Sequence, residues 1–509
     1  MPKTAKTAGE MKNLSGANRV ARYLNKAPAD FVKKDILRFI IENDIQIVNF
    51  RYIGGDGRLK TLNFVGTDHK NLDRLFSTGE RVDGSSLFSH IDAASSDLYV
   101  LPRLRTAYVN PFAPVPTLDI VCAYFTSEGK RLPSSPENIL AKAQAALRKS
   151  SGMTLEAFGE LEYYVIAKRE NENYPVTAQR GYHESMPFSK WETLRVEAVQ
   201  AIAQAGCSIK YAHAEVGHIR TEDLEMSQHE IEFLPVPAED AADQLLIAKT
   251  MVQMAGFKNG VKVTFAPKIS SGHAGSGMHI HSRLVKDGVN MMVDSNGRLS
   301  DVARKMIAGY LSLAPSLTSF GNTVPTSYLR LVPHQEAPTN ICWGDRNRSV
   351  LVRVPLGWNN VGNMAQEANP GDKSLVPPKG SNQTVEFRCA DGSANVHLLI
   401  AGLAVAARYG LELPGALDIA KRLYVDVNIF KSENRQVQSQ LPQLPTSCRE
   451  SAEKLISDRD IYEKDGVFSP LVIDGNVQKL KNYNDRDLSQ RLFGKEEEIT
   501  RLVDEYLYC

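Results

Sequence analysis

The period of hydrophobic and polar positions changes several times along the chain, and the first changes outline a small domain. Apolar residues at Phe31, Ile36, Phe39 and Ile40 recur at helical spacing and predict a helix over 31–43. The stretch from Ile45 to Ile53 alternates like a strand. Gly54-Gly55-Asp56-Gly57 supplies a hairpin turn, and Leu59 to Val65 is the expected return strand. Further strands are expected at Leu98–Leu101 and Asp119–Phe125. Residues 1–30 read as a flexible N-terminal extension, and 31–130 as an α+β domain.

A second block covers 131–509. Leu132-Pro133-Ser134-Ser135-Pro136 caps a helix expected from Glu137 to Lys149. Beyond it, strands and helices mix without a regular βαβ rhythm. Helices are expected at Trp191–Ala205, Ala238–Ala255, Ser300–Leu313 and Val396–Ala407. The most apolar run, Leu398–Ala407, is too short to span a bilayer and reads as a buried core helix. Asn359–Asn382 is polar and rich in Gly and Pro, a long exposed loop or insertion, and the tail from Glu450 is helical and charged.

Charge and cysteine usage narrow the function classes. Lys+Arg 60 against Asp+Glu 59 leaves no global basic field for nucleic acid. The six cysteines form no CxxC pair, so neither a zinc site nor a disulfide framework is expected, and a reducing, cytoplasmic setting fits. No membrane association is expected, and the basic N-terminus lacks the apolar core of a secretion signal.

The densest chemistry lies in Gly272-His273-Ala274-Gly275-Ser276-Gly277-Met278-His279-Ile280-His281. Closely spaced glycines let backbone approach a bound group, and imidazoles at i, i+2 in an extended segment share a face. Read alone, the same pattern also fits a tight turn. Glu160 and Glu162 stand at i, i+2 in a strand-like apolar run, where two like charges need cations to neutralise them. An exposed face of an edge strand is the other reading. Glu386 and Arg388 share a strand face, which also fits a structural ion pair. Glu215 and Glu230 are ambiguous alone. Arg330, Arg346, Arg348 and Arg353 form a basic set among Val and Leu, suited to gripping carboxylate or phosphate. Carboxylates and a histidine can hold hard divalent cations alongside phosphate oxygens, an architecture suited to phosphoryl transfer.

Taken together, the motifs Asp-Gly-Ser-Ser (83–86), ELEYY (160–164), AEV (214–216), QHEIEF (228–233), GSGMHIH (275–281), SYLRLVPHQEAP (327–338), RNRS (346–349) and VEFR (385–388) resemble glutamine synthetase, of the bacterial type I-like kind. The resemblance runs from about residue 45 to the C-terminus. It implies an N-terminal β-grasp domain, a catalytic domain, and self-association into stacked rings, expected as a dodecamer. It implies ATP with Mg2+, or Mn2+ in its place, and ligation of ammonium to L-glutamate through γ-glutamyl phosphate. Glu162, Glu215 and Glu230 would bind the metal nearer glutamate, and Glu160, His279 and Glu386 the metal nearer the phosphates. Arg330 and Arg388 would grip glutamate, Arg348 and Arg353 would neutralise the transferring phosphoryl group, and Gly275 would admit the substrate. Asp83, donated across a subunit interface, and Glu336, on a closing flap, would handle ammonium. His281 would lie near the nucleotide.

The chain departs from the resemblance in several places. Ala274 stands where Asn is usual, and the His273-Ala274 pair resembles enzymes that join glutamate to amines such as putrescine. Extra residues (217–225) separate Glu215 from Glu230, and Thr384 stands where a nucleotide-contacting Arg is common. Tyr424 lies near the position of a modified tyrosine in enterobacterial enzymes but reads as a core or surface tyrosine. Two alternatives to the ammonia ligase therefore stand: a γ-glutamyl–amine ligase, and a non-catalytic ring protein, against which the complete set of metal ligands argues.

Overall fold

The strand–turn–strand pattern at 45–65 folds as an antiparallel pair, β1 (Ile47–Ile53) and β2 (Leu59–Val65), with Ile47 opposite Val65 and Ile53 opposite Leu59. In this computed structural model, residues 16–170, 174, 176–270, 272–332, 337–359, 361–376, 381–492 and 495–509 are described. Strands β3 (Glu80–Asp83), β4 (Asp97–Pro102), β5 (Tyr108–Val109) and β6 (Thr117–Phe125) complete the first sheet. Its order is β2-β1-β6-β4-β3, with β5 also on β6 and the β1–β6 pair parallel. Helices α1 (Arg19–Leu24), α2 (Lys33–Glu42) and α3 (His69–Thr78) bury Val20, Ile36, Phe39, Ile40, Leu72 and Leu75 against Val48, Phe50, Val100 and Ile120. Residues 16–30, the described part of the expected flexible extension, hold α1 and a short 3-10 turn at Pro28–Asp30. Asn18 caps α1 through Val20 N–H and Ala21 N–H, and its Nδ2 donates to Ala107 O at 3.1 Å, which ties the helix to the sheet.

The second sheet carries the chemistry. Its long strands are β7 (Thr154–Lys168), β8 (Ile209–Arg220) and β9 (Leu224–Phe233). Short strands β10 (Val236–Pro237) and β11 (Lys262–Thr264) pair with β7, followed by β12 (Met278–Lys286) and β13 (Val289–Asn290), and then β14 (Trp343–Asp345), β15 (Val352–Val354) and β16 (Val385–Phe387). The order is β14-β15-β16-β12-β7-β9-β8. β7 is therefore a central strand, and the edge-strand reading of Glu160 and Glu162 falls away.

Alternation sorts the β7 residues. Leu155, Ala157, Leu161, Tyr163 and Val165 enter the large core beside α4 (Pro136–Ser151), α5 (Glu192–Gln204) and α6 (Ala238–Lys258). Glu160 and Glu162 point to the opposite face, which lines a cavity. α7 (Asp301–Gly321) continues past the expected end at Leu313 and through Pro315, because burial along nearly its whole second half outweighs the lost backbone bond. The helix expected at Val396–Ala407 extends to Glu412 and buries almost every residue to Gly410. Among the described residues no single helix is long and apolar enough to cross a membrane. The described part of 359–382 is mostly exposed and holds one short helix, Met364–Ala368.

Candidate active site

Strand register assembles the site. On β7 and β12, Glu160 pairs with His279; on β7 and β9, Glu162 pairs with Glu230; on β9 and β8, Glu230 pairs with His213. Toward the other edge, His281 pairs with Glu386, and Glu386 with Arg353. Paired residues project to the same face, so six strands deliver acids, imidazoles and an arginine to one side of the sheet.

The distances divide these groups into clusters. Glu160 Oε2 lies 2.9 Å from His279 Nδ1, and Glu386 Oε1 lies 3.4 Å from the same nitrogen. His213 Nε2 is 3.3 Å from Glu230 Oε1, and its Nδ1 is 3.6 Å from Glu215 Oε2. Donor atoms of Glu160, His279 and Glu386 all lie within 4.8 Å of one another, as do those of His213, Glu215 and Glu230, and those of Glu160, Glu230 and Glu232. The first triad contains the residues expected together. In the second, His213 stands beside Glu215 and Glu230. Glu162 lines the same cavity, but its Oε2 accepts from Gly277 N–H at 2.8 Å and from Gln228 Nε2 at 3.0 Å.

The electrostatics fit a cation-binding set. Burial, then the neighbouring Glu162 and Glu230, push the Glu215 carboxyl up to about 8. Burial and the surrounding carboxylates Glu160 and Glu162 push Glu230 well up. Glu160 goes the other way: burial acts to raise it, but His281 and His279 hold it well below the usual carboxylate range. Arg388 and the two imidazoles likewise depress Glu386 against the effect of burial and of Glu160. Buried carboxylates crowded together beside imidazole nitrogens are a donor set that a hard divalent cation takes.

Arginines close the cavity opposite the acids. Arg353 donates to Glu386 Oε2 at 3.0 Å and Arg388 Nε to Glu386 Oε1 at 2.9 Å. The expected ion pair therefore forms, and both partners also line the cavity. Arg330 is buried, with Nη1 donating to Cys389 O at 2.8 Å. Arg348 is exposed, lines the cavity and donates a hydrogen bond to Tyr182. Arg346 is exposed and outside the cavity lining. The glycines make room for this packing. A Cβ at Gly275 would sit 2.5 Å from Pro267 O and 2.9 Å from Arg330 Cγ, and one at Gly277 would sit 2.6 Å from an Arg330 nitrogen.

Two expected residues stand apart. His281 is buried behind Glu160, its Nε2 2.9 Å from Glu160 Oε1 and its Nδ1 3.1 Å from Thr384 Oγ1, stacked on Phe158 at 4.5 Å. Asp83 is exposed at the end of β3 and outside the cavity lining. Ser86 and Ser85 donate to it and hold its carboxyl well below the usual range. Glu336 lies outside the described residues. Tyr424 is 40% exposed, edge-on to Trp343, as a surface tyrosine.

Sequence reasoning passed over His213, Gln228, Tyr182 and Tyr211, which also line the cavity. Gln228 had a local signal, standing at i−2 from Glu230 and hence on the same strand face. Tyr182 lies in irregular backbone with no periodicity to mark it.

Comparison with known proteins agrees with this geometry. Residues 44–127 match the model of the glutamine synthetase β-grasp domain, and 133–492 that of the glutamine synthetase catalytic domain. Glutamine synthetase of Mycolicibacterium smegmatis is 29% identical over 484 residues, covering 88% of this chain and 94% of its own. That of Streptomyces coelicolor is 30% identical over 475 residues, covering 86% and 92%. The fold is shared with Plasmodium falciparum glutamine synthetase (TM-score 0.72, 19% identity, 91% of this chain and 99% of that one) and with ligand-free GmaS (TM-score 0.70, 18% identity, 89% and 96%).

Proposed function

The chain belongs to the glutamine synthetase family and is an ATP-dependent carbon–nitrogen ligase, and within that family we propose that it joins ammonia to the side-chain carboxylate of L-glutamate. The observation that carries this reading is the single cavity in which acid–imidazole triads face Arg330, Arg348, Arg353 and Arg388. Glu160, His279 and Glu386 would hold one divalent cation and Glu162, Glu215 and Glu230 another, Mg2+ in the first instance and Mn2+ as the alternative. When bound, such ions neutralise phosphate oxygens and orient the γ-phosphoryl group.

The residues divide the remaining work. Arg330 and Arg388 grip glutamate through its carboxylates, and Gly275 leaves space for its approach. A side-chain carboxylate oxygen attacks the γ-phosphorus of ATP and ADP departs, while Arg348 and Arg353 offset the charge on the transferring group. Ammonium gives a proton to a carboxylate, Asp83 or Glu336; the free nitrogen then attacks the acyl carbon, and phosphate leaves. Closure over the intermediate excludes water. His281 supports the nucleotide side through Glu160.

Asp83 is exposed and away from the cavity of its own chain. This supports a stacked-ring homo-oligomer, a dodecamer, in which a neighbour donates Asp83. The same reading divides the chain into 1–30, 31–130 and 131–509. Six free cysteines support a cytoplasmic setting.

The second reading is ligation of a small amine. It is favoured by Ala274 in the glycine segment and by two aromatic residues, Tyr182 and Tyr211, in the cavity lining, a residue type that suits an alkylammonium. Phosphate release from ATP and glutamate decides between them, with ammonium compared against small amines at matched concentration. Preference for ammonium with accumulation of glutamine supports the ammonia ligase; an amine preference installs the second reading. ATP turnover that survives metal removal would sink the cation assignment.

A further inference from the structure

The C-terminal helix Glu496–Glu505 lies beyond residue 492, where the match to the catalytic-domain model ends. Its Val503 is buried in a small hydrophobic cluster with Tyr164, Ile219, Ala266 and Ile269, flanked by Met226, Ile499 and Leu507. This cluster is separate from the main core. Ile219 and Met226 pair across the β8–β9 hairpin, in the stretch that lengthens the connection between Glu215 and Glu230. Ala266 and Ile269 lead directly into the glycine segment. Thr264 also donates to Leu507 O, so the tail is hydrogen-bonded to β11, which pairs with β7 at Tyr164.

Tyr164 connects this cluster to the site. Its ring is buried in the cluster, and its hydroxyl donates to Ala274 O at 2.8 Å. The next residue, Gly275, offers its carbonyl to Gln228 Nε2 at 2.9 Å, the same nitrogen that bonds Glu162. Arg330 packs directly on Gly275. A shift of the Ala274 carbonyl would therefore reach Gln228, Glu162 and Arg330 together.

We infer that the C-terminal helix is a positioning element for the glycine segment, acting through Tyr164 and Ile269, and that it sets affinity for the amino-acid substrate. Ala274 brings no side-chain amide of its own; its N–H donates to Gln179 Oε1 at 2.9 Å and its carbonyl accepts from the Tyr164 hydroxyl. The affinity clause rests on the proposed role of Arg330 and Gly275; the mechanical coupling does not.

The full-length chain tests both clauses. Val503→Asp puts a charge into the cluster and should release the tail, read by limited proteolysis after residue 495. Tyr164→Phe keeps the ring packing and removes the hydroxyl that bonds Ala274. In both, amide hydrogen exchange across 272–277 should rise about tenfold, the scale of one lost hydrogen bond, while exchange in 280–286 stays unchanged. KM for glutamate should rise by a similar factor, with KM for ATP and kcat within about twofold. Val503→Ile should match the parent in every readout. A released tail with unchanged exchange at 272–277 overturns the coupling. Raised exchange with an unchanged glutamate KM overturns the affinity clause. A parent enzyme that does not turn over glutamate counts against the substrate reading, and the exchange result still judges the coupling.

Discussion

At the residue scale, the carboxyls of the second triad are the most consequential groups. In the metal-free protein Glu215 is raised from 4.5 to about 8, with burial and Glu162 the leading causes. Between those two values the folded protein holds a proton that the unfolded chain has released. This contribution to stability is therefore present below the unfolded value and is lost as pH rises through the folded one. Glu230 acts in the same direction. In chelator, Tm should fall as pH is raised from about 5 toward 8, and Mg2+ should raise Tm more at the upper end, where it displaces fewer protons. Glu215→Gln should flatten the chelator profile, and a flat profile in the parent would refute the assignment. Gln228 is a second test. It is buried, accepts from Gly217 N–H at 3.0 Å, and donates to Glu162 at 3.0 Å and to Gly275 O at 2.9 Å. Gln228→Leu leaves these groups unpaired and should cost about 2 kcal/mol in denaturant unfolding. Metal affinity, measured by titration, should drop about tenfold or more because Glu162 loses its orienting partner.

At the scale of elements, the β8–β9 hairpin must bend to present Glu215, and it does so with a register shift between Ala214 and His218. Gly217 sits in that shift, where a Cβ would come 2.0 Å from Tyr164 Oη and 2.5 Å from Gln228 Oε1. Gly217→Ala should therefore destabilise by about 1–3 kcal/mol and weaken metal binding along with it. Wild-type values for both would show that Tyr164 and Gln228 yield freely. The alternation that puts Glu160 with Glu162, and His279 with His281, was legible because it is a property of a few consecutive residues. The register that brings His279 to Glu160 was not, since the partners are 119 residues apart and no local pattern encodes strand order. His213 shows the consequence. Beside Glu215 in the sequence it looks incidental, and only pairing with Glu230 across the hairpin makes it part of a triad. The collinear motifs named the candidate ligands through resemblance, without their register. α7 runs past the expected end at Leu313 and through Pro315, where packing around the helix outweighs the local cost of a proline.

At the scale of the whole molecule, the two sheets are joined by a buried charge pair. Arg103, just after β4, makes a double hydrogen bond to Asp243 in α6, Nη1 to Oδ2 and Nη2 to Oδ1, both at 2.8 Å. His397, at the start of the long buried helix Val396–Glu412, adds a third contact, its Nε2 3.1 Å from Asp243 Oδ1. Burial alone would raise the Asp243 carboxyl, but Arg103 and His397 hold it well below the usual range. One carboxylate thus receives an arginine from the first sheet and an imidazole from the second domain's core. Asp243→Ala would strand Arg103 at a site where only 15% of its side chain is exposed. It should cost about 3 kcal/mol or more, whereas replacing pair and partner together by apolar residues should cost much less. Because Asp243 is not among the residues lining the cavity, the single variant should unfold at lower denaturant while its folded fraction keeps the parent's metal affinity. If metal affinity fell in step with stability, the sheets would be coupled through the site itself, and the Arg103–Asp243 pair would be more than a structural tie.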